Sequence, residues 1–187
     1  MECISLEIEE VKIIVPSRFD DQRGFFEQMH HKEQYSEVGI EKEFVQTNWS
    51  RSSYGVLRGL HYQLENPQAK LVTVIRGAIF DVAVDIRQGS PTFGQWAGEI
   101  LSAENGRQIY VPEGFAHGFL VLSETVDLIY QCSGFYDPGD EYGINWNDPE
   151  IGVDWPKIDR EPLVSGKDQS SSKLDEMPEE DLFKYAG

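Results

Sequence analysis

GVLRGLHYQ, residues 55–63, reads as a β-strand whose Val56, Leu57, Leu60 and Tyr62 are ordinary strand residues and whose Arg58 and His61 are not. Two spacings organise the polar residues around it. Gly55 is followed after five residues by His61, then by Gln63 and Lys70, and six residues separate Lys70 from Gly77. Further on, Gly106, Pro112, Gly114 and His117 are separated by five, one and two residues. An imidazole titrates near neutrality and suits a general base. An ammonium held in an apolar wall can stabilise a developing oxyanion. His61 and Lys70 together therefore suit removal of a proton α to a carbonyl, with the enolate held by Lys70. A lone histidine on a strand is more often a hydrogen-bonded core residue; the company of Arg58, Gln63 and Lys70 favours a site.

These residues need a scaffold of short strands. KLVTVIRGAIFDVAVDIR, residues 70–87, has a β-branched run, a turn at Arg76-Gly77 and then alternation. Phe80, Val82, Val84 and Ile86 share one face, and Asp81, Ala83 and Asp85 the other. Residues 107–112, 118–122 and 125–133 read as further strands, with turns at Gly89-Ser90-Pro91, Glu104-Asn105-Gly106, Pro112-Glu113-Gly114 and Pro138-Gly139. Such spacing predicts an all-β sandwich or barrel with few helices. One helix is expected over 28–38, ended by Gly39. The chain of 187 residues suits a single domain over 1–187. From about residue 157 it turns polar and acidic, which by itself reads as a loosely ordered tail.

Composition narrows the partners. The net charge of −17 argues against nucleic acid and anionic membranes, which require a cationic face. It leaves room for a small anion, because several of the 16 Lys and Arg, including Arg23, Arg58, Lys70 and Arg76, fall in otherwise apolar stretches. No run of 18 apolar residues predicts a membrane span. The acidic start MECISLEIEEVK does not read as a secretory signal. Cys3 and Cys132 suggest no disulfide framework. A cytoplasmic protein is expected.

The two spacings resemble the signature motifs of the cupin superfamily, a double-stranded β-helix or jelly-roll barrel. In metal-binding cupins these positions supply His, His, Glu and His. Here they hold His61, Gln63, Lys70 and His117, and an ammonium beside a divalent cation is repulsive. The resemblance therefore implies the barrel, and the residues argue against a metal. RGFF (23–26), VLRGLHYQ (56–63), DVAVDIR (81–87), PEGFAHGFLVLSE (112–124), WNDPEIGVDWP (146–156) and SGKDQ (165–169) resemble a narrower family, dTDP-4-dehydrorhamnose 3,5-epimerase, over about residues 10–170.

That resemblance implies a cofactor-independent epimerase acting on a dTDP-linked 4-keto-6-deoxy sugar. His61 would be the base, oriented by Asp168; Lys70 would sit by the ketone oxygen, and Tyr130 would be the acid. From the residues alone Tyr130 is a core tyrosine in register with Val126, Leu128 and Cys132, and Asp168 a solvated charge. The Asp168 role requires the segment after 157 to fold back over the barrel mouth. Arg23, Phe26, Gln28, Gln46, Asn48, Arg58, Gln63, Lys70, His117, Tyr136, Glu141 and Lys167 would bind the substrate. The family also implies a homodimer that exchanges N-terminal strands. Gln28, Thr47 and Thr73 depart from the family's usual Glu, Asp and Arg. Relatives that epimerise one centre, ketoisomerases, metal-dependent cupins and a binding module without turnover are the competing readings. Arg58 and His61 have opposite strand parity, so a regular strand cannot aim both at one cavity; Gly59 offers a bend, and a partner subunit offers Arg58 another destination.

Overall fold

The computed structural model describes residues 1–185. Its strands are β1 (Glu2–Ser5), β2 (Lys12–Val15), β3 (Arg18–Asp21), β4 (Gly24–Glu27), β5 (Gln46–Ser53), β6 (Val56–Gln63), β7 (Lys70–Arg76) and β8 (Ala78–Asp85). They continue as β9 (Arg87–Gln88), β10 (Trp96–Ser102), β11 (Gln108–Val111), β12 (Phe115–Val121), β13 (Thr125–Cys132), β14 (Glu141–Gly143), β15 (Leu163–Val164) and β16 (Phe183–Lys184). Two short helices, α1 (Lys32–Glu37) and α2 (Gly166–Gln169), and two 3₁₀ turns complete the described chain.

Two sheets face one another. The first runs β1-β2-β11-β7-β13-β5; the second runs β10-β8-β12-β6-β14, with β15 lying parallel to β6. The result is the cupin-like jelly roll. Alternation decides which side chains meet between the sheets. Val72 and Val74 of β7, Ile79 and Ala83 of β8, Phe119 of β12 and Leu128 of β13 form that core. The opposite face of β8 is apolar as well, because it is also covered. Val82, Val84 and Ile86 pack against Ile144, Ile151, Leu174 and Leu182. The polar segment after 157 is thus a strap across the outside of the second sheet, anchored by a few leucines spaced among its charges, rather than a loose tail.

The expected helix over 28–38 is shorter. Residues 28–31 are not helical, and the Met29 carbonyl accepts hydrogen bonds from the Tyr35 hydroxyl (2.8 Å) and Gln108 Nε2 (2.9 Å). Those side-chain donors hold the segment against the first sheet before α1 begins. At the other end Gly39 takes φ +81°, and Lys12 Nζ caps the Val38 carbonyl at 2.7 Å.

Asp140 fixes the approach to β14. Its carboxylate accepts the backbone N–H groups of Leu64 (3.1 Å), Glu65 (3.0 Å) and Asn66 (2.7 Å). Burial pushes its pKa up, but the three donors outweigh this and hold it below the ordinary aspartate value. A depressed carboxylate pKa stabilises the fold above the unfolded value, and that stability is lost as pH falls through the folded one. Asp140→Ala is expected to cost about 3 kcal/mol at neutral pH, because it strands buried donors. Urea unfolding of both proteins should show the gap closing below about pH 4.

Candidate active site

A cavity of about 660 Å³ opens between the two sheets. The first sheet contributes Gln46 and Asn48 from β5, Lys70 from β7 and Tyr130 from β13; the second contributes Arg58, His61 and Gln63 from β6, His117 from β12 and Glu141 from β14. Tyr136, from the loop after β13, and Lys167 and Asp168, from α2, close the mouth.

Arg58 and His61 share this cavity because β6 is bulged. Opposite β12, His117 pairs with His61 and Phe119 with Arg58, so three steps along β6 match two along β12. The inserted residue reverses the parity that would separate the two side chains. Glycines permit it: Gly59 has φ +109°, and a Cβ there would lie 2.6 Å from Gly118 Cα and from the His117 carbonyl oxygen. The Gly59–Leu60 peptide is cis. Arg58 reaches across to Ser52 Oγ, 3.2 Å from Nε and 3.1 Å from Nη2.

His61 lies between two carboxylates. Its Nε2 is 2.9 Å from Asp168 Oδ1, and its Nδ1 is 3.8 Å from Glu141 Oε1. Asp168 is 3 % exposed, accepts the Gly59 N–H through Oδ2 (3.2 Å), and is placed by the Ser165 cap of α2, whose Oγ accepts the Asp168 N–H at 3.1 Å. Burial alone would raise the Asp168 pKa; the hydrogen bond and charge of His61 and the Gly59 N–H overcome it, so the carboxyl stays ionised. An ionised carboxylate only accepts, so the imidazole hydrogen belongs on Nε2 and the lone pair on Nδ1. Glu141 is tied to Lys167 Nζ and to the Tyr136 hydroxyl (3.0 Å). Burial pushes its pKa up, and these partners with His61 bring it below the ordinary value.

Lys70 is half-buried as a residue, but its ammonium is desolvated, which pushes its pKa below the ordinary lysine value against the opposing pull of Cys132, Asp81 and Glu141. Among the described residues it has no hydrogen-bond or ion-pair partner. Tyr130 stands on the other sheet from His61, and its hydroxyl likewise has no partner among the described residues. Burial raises its pKa, so it remains a proton donor at neutral pH. The His61 imidazole and the Tyr130 phenol therefore face the cavity from opposite walls.

Other expected contacts are already engaged. The Gln63 amide donates to the Asn66 (2.8 Å) and Phe135 (3.1 Å) carbonyls and accepts from the Asp137 N–H (2.9 Å), so it braces the loops at the mouth. Gln46 Nε2 donates to Asn48 Oδ1 at 2.9 Å. The ammonium at Lys70 and the committed amide at Gln63 do not fit a divalent metal. Arg23, Phe26 and Gln28 are not brought to this cavity. Arg23 pairs with Asp21 at the tip of the β3–β4 hairpin, Phe26 is 66 % exposed, and Gln28 is exposed. Asp81, hydrogen-bonded to His117, is not among the expected site residues, although it opens the DVAVDIR motif (81–87) as a carboxylate in a largely apolar stretch.

The family model described as dTDP-4-dehydrorhamnose 3,5-epimerase matches residues 5–176. A relative of that name from Pseudomonas aeruginosa is 52% identical over 170 residues, 90% of this chain and 93% of the relative. One from Neisseria gonorrhoeae, also so named, is 51% identical over 168 residues; the match takes in 90% of this chain but only 51% of that longer protein, so the chain spans about half its length. The crystal structure of dTDP-6-deoxy-D-glucose-3,5-epimerase from Legionella pneumophila, in complex with dTDP-4-keto-L-rhamnose, is similar with a TM-score of 0.97 and 49% identity over 100% of this chain and 99% of that one.

Proposed function

The chain belongs to the dTDP-4-dehydrorhamnose 3,5-epimerase family, and from that premise we propose that it converts dTDP-4-dehydro-6-deoxy-D-glucose to dTDP-4-dehydro-L-rhamnose, a step toward dTDP-L-rhamnose. It is an isomerase. The observation that carries the mechanism is the placement of His61 and Tyr130 on opposite sheets, with the Lys70 ammonium facing the same cavity. The C4 ketone acidifies C3–H and C5–H. His61 Nδ1 takes each proton, Asp168 stabilises the imidazolium that forms, and Lys70 holds the enolate oxygen. Tyr130 returns a proton to the far face, which inverts the centre. Arg58 and Lys167 supply positive charge for the diphosphate, with Arg58 the better fitted to a bidentate contact.

The β3–β4 hairpin supports a homodimer. Phe19, Phe25 and Phe26 leave it apolar and exposed, and Arg23, Phe26 and Gln28 of one copy would reach the cavity of the other. No described helix is long and apolar enough to cross a membrane, and a cytoplasmic location is part of the proposal.

The test is incubation with dTDP-4-dehydro-6-deoxyglucose in D2O, read by NMR. Deuterium at both C3 and C5 in an L-configured product establishes the double epimerase. Deuterium at one carbon makes it a single-centre enzyme, and none overturns the reading. Tyr130→Phe separates the two half-reactions. Exchange is expected to persist within about tenfold of wild type, while inversion falls about 100-fold, the usual size of a lost general acid. Unchanged inversion would remove Tyr130 as the acid.

A further inference from the structure

Asp81 has no exposed surface, and both its oxygens lie on one group: His117 Nε2 is 2.8 Å from Oδ1 and 3.0 Å from Oδ2. A buried carboxylate is costly unless it is bonded and compensated. Asp85, four residues on and equally buried, is compensated within the framework by Arg87, Ser90 and Thr92. Asp81 has no such partners among the described residues. It stands on the inward face of β8 between Ile79 and Ala83, behind the cavity wall that His117 forms. Since the ionised carboxylate only accepts, its geometry puts the hydrogen on His117 Nε2 and turns Nδ1 away from it.

We propose that Asp81 is a positioning residue of the epimerase: it locks His117, on the cavity wall, with Nε2 as the donor, although Asp81 itself lies outside the cavity. The inference rests on the proposed epimerase activity. Asp81→Asn keeps the shape and removes the charge. Expected are a fall in C3 and C5 exchange of about tenfold to 100-fold, as for other residues that orient a reacting group, and a His117 tautomer shifted away from the Nε2-protonated form in the nitrogen-15 spectrum of the variant. A rate within threefold of wild type, or a lower rate with the His117 tautomer unchanged, overturns the proposal. Should Asp81→Asn not fold, nitrogen-15 NMR of the wild-type imidazoles decides, with His117 assigned by its loss in His117→Gln. Nε2 should remain protonated between about pH 6 and 9, and a hydrogen on Nδ1 alone overturns the assignment. Absence of exchange in the wild type would count against the epimerase activity and leave this tautomer measurement standing as the test of Asp81.

Discussion

His61→Ala is expected to abolish deuterium exchange at both C3 and C5, with turnover down about 1,000-fold, within the range for loss of a positioned general base. The size of the effect follows from the absence of a substitute. Glu141, the carboxylate on the Nδ1 side at 3.8 Å, is engaged by Lys167 and Tyr136 and held below the ordinary glutamate pKa. His117 spends its Nε2 on Asp81. Both exchange reactions should fall together, because in the proposed mechanism one imidazole serves both carbons. Loss at C5 with normal exchange at C3 would mean that two bases operate. The fold should be little affected, since the His61 side chain is a quarter exposed at 25%. A companion, Asp168→Asn, keeps the hydrogen-bond geometry but can donate to Nε2 and so favours the wrong tautomer. Its exchange should fall with the melting temperature nearly intact, and full exchange in that variant would show that Asp168 does not set the tautomer.

How much of this was legible in the residues differs by element. β6, β7, β8, β11, β12 and β13 stand out through β-branched runs or apolar alternation, and a sandwich or barrel follows from them. β5 did not, because its inward residues Gln46, Asn48, Ser50 and Ser52 are polar: they face a cavity and the edge of the sheet, so the usual contrast between faces is missing. β1 to β4 are too short and too charged for a period to show. The candidate catalytic residues stood out through motif resemblance, and His61 and Lys70 also through chemical type. For the wall that Arg58 and His61 share, the residues offered a bend at Gly59 beside a partner subunit for Arg58, without deciding between them. The shared wall depends on a bulge created by the close approach of Gly59 to Gly118, a contact between distant parts of the chain. Asp168 was plausible only if the C-terminal segment folds back. The segment does so because Leu174 and Leu182 bury themselves on the second sheet, a long-range contact that its polar composition conceals.

Lys70→Met should separate activity from stability in opposite directions. Exchange at C3 and C5 is expected to fall about 100-fold to 1,000-fold, the usual cost of removing one oxyanion donor from a dry site. Methionine nearly matches the lysine stem in length and removes a desolvated ammonium that lacks a hydrogen-bond partner among the described residues, so the variant should melt at or above the wild-type temperature. The pH dependence has a definite sign. Burial lowers the pKa of Lys70 in the fold, so between that value and the unfolded one near about 10.4 the unfolded chain binds more protons, and wild-type stability rises with pH there. Catalysis runs the other way, because only the ammonium stabilises the enolate, and activity is lost as pH rises through the same lowered pKa. The variant should lack this alkaline gain in stability. Denaturant melts at a series of alkaline pH values, set beside exchange rates at the same values, measure both curves. A Lys70→Met protein that exchanges within tenfold of wild type would move the enolate elsewhere, and one that loses stability would mean that the ammonium serves the fold rather than the reaction.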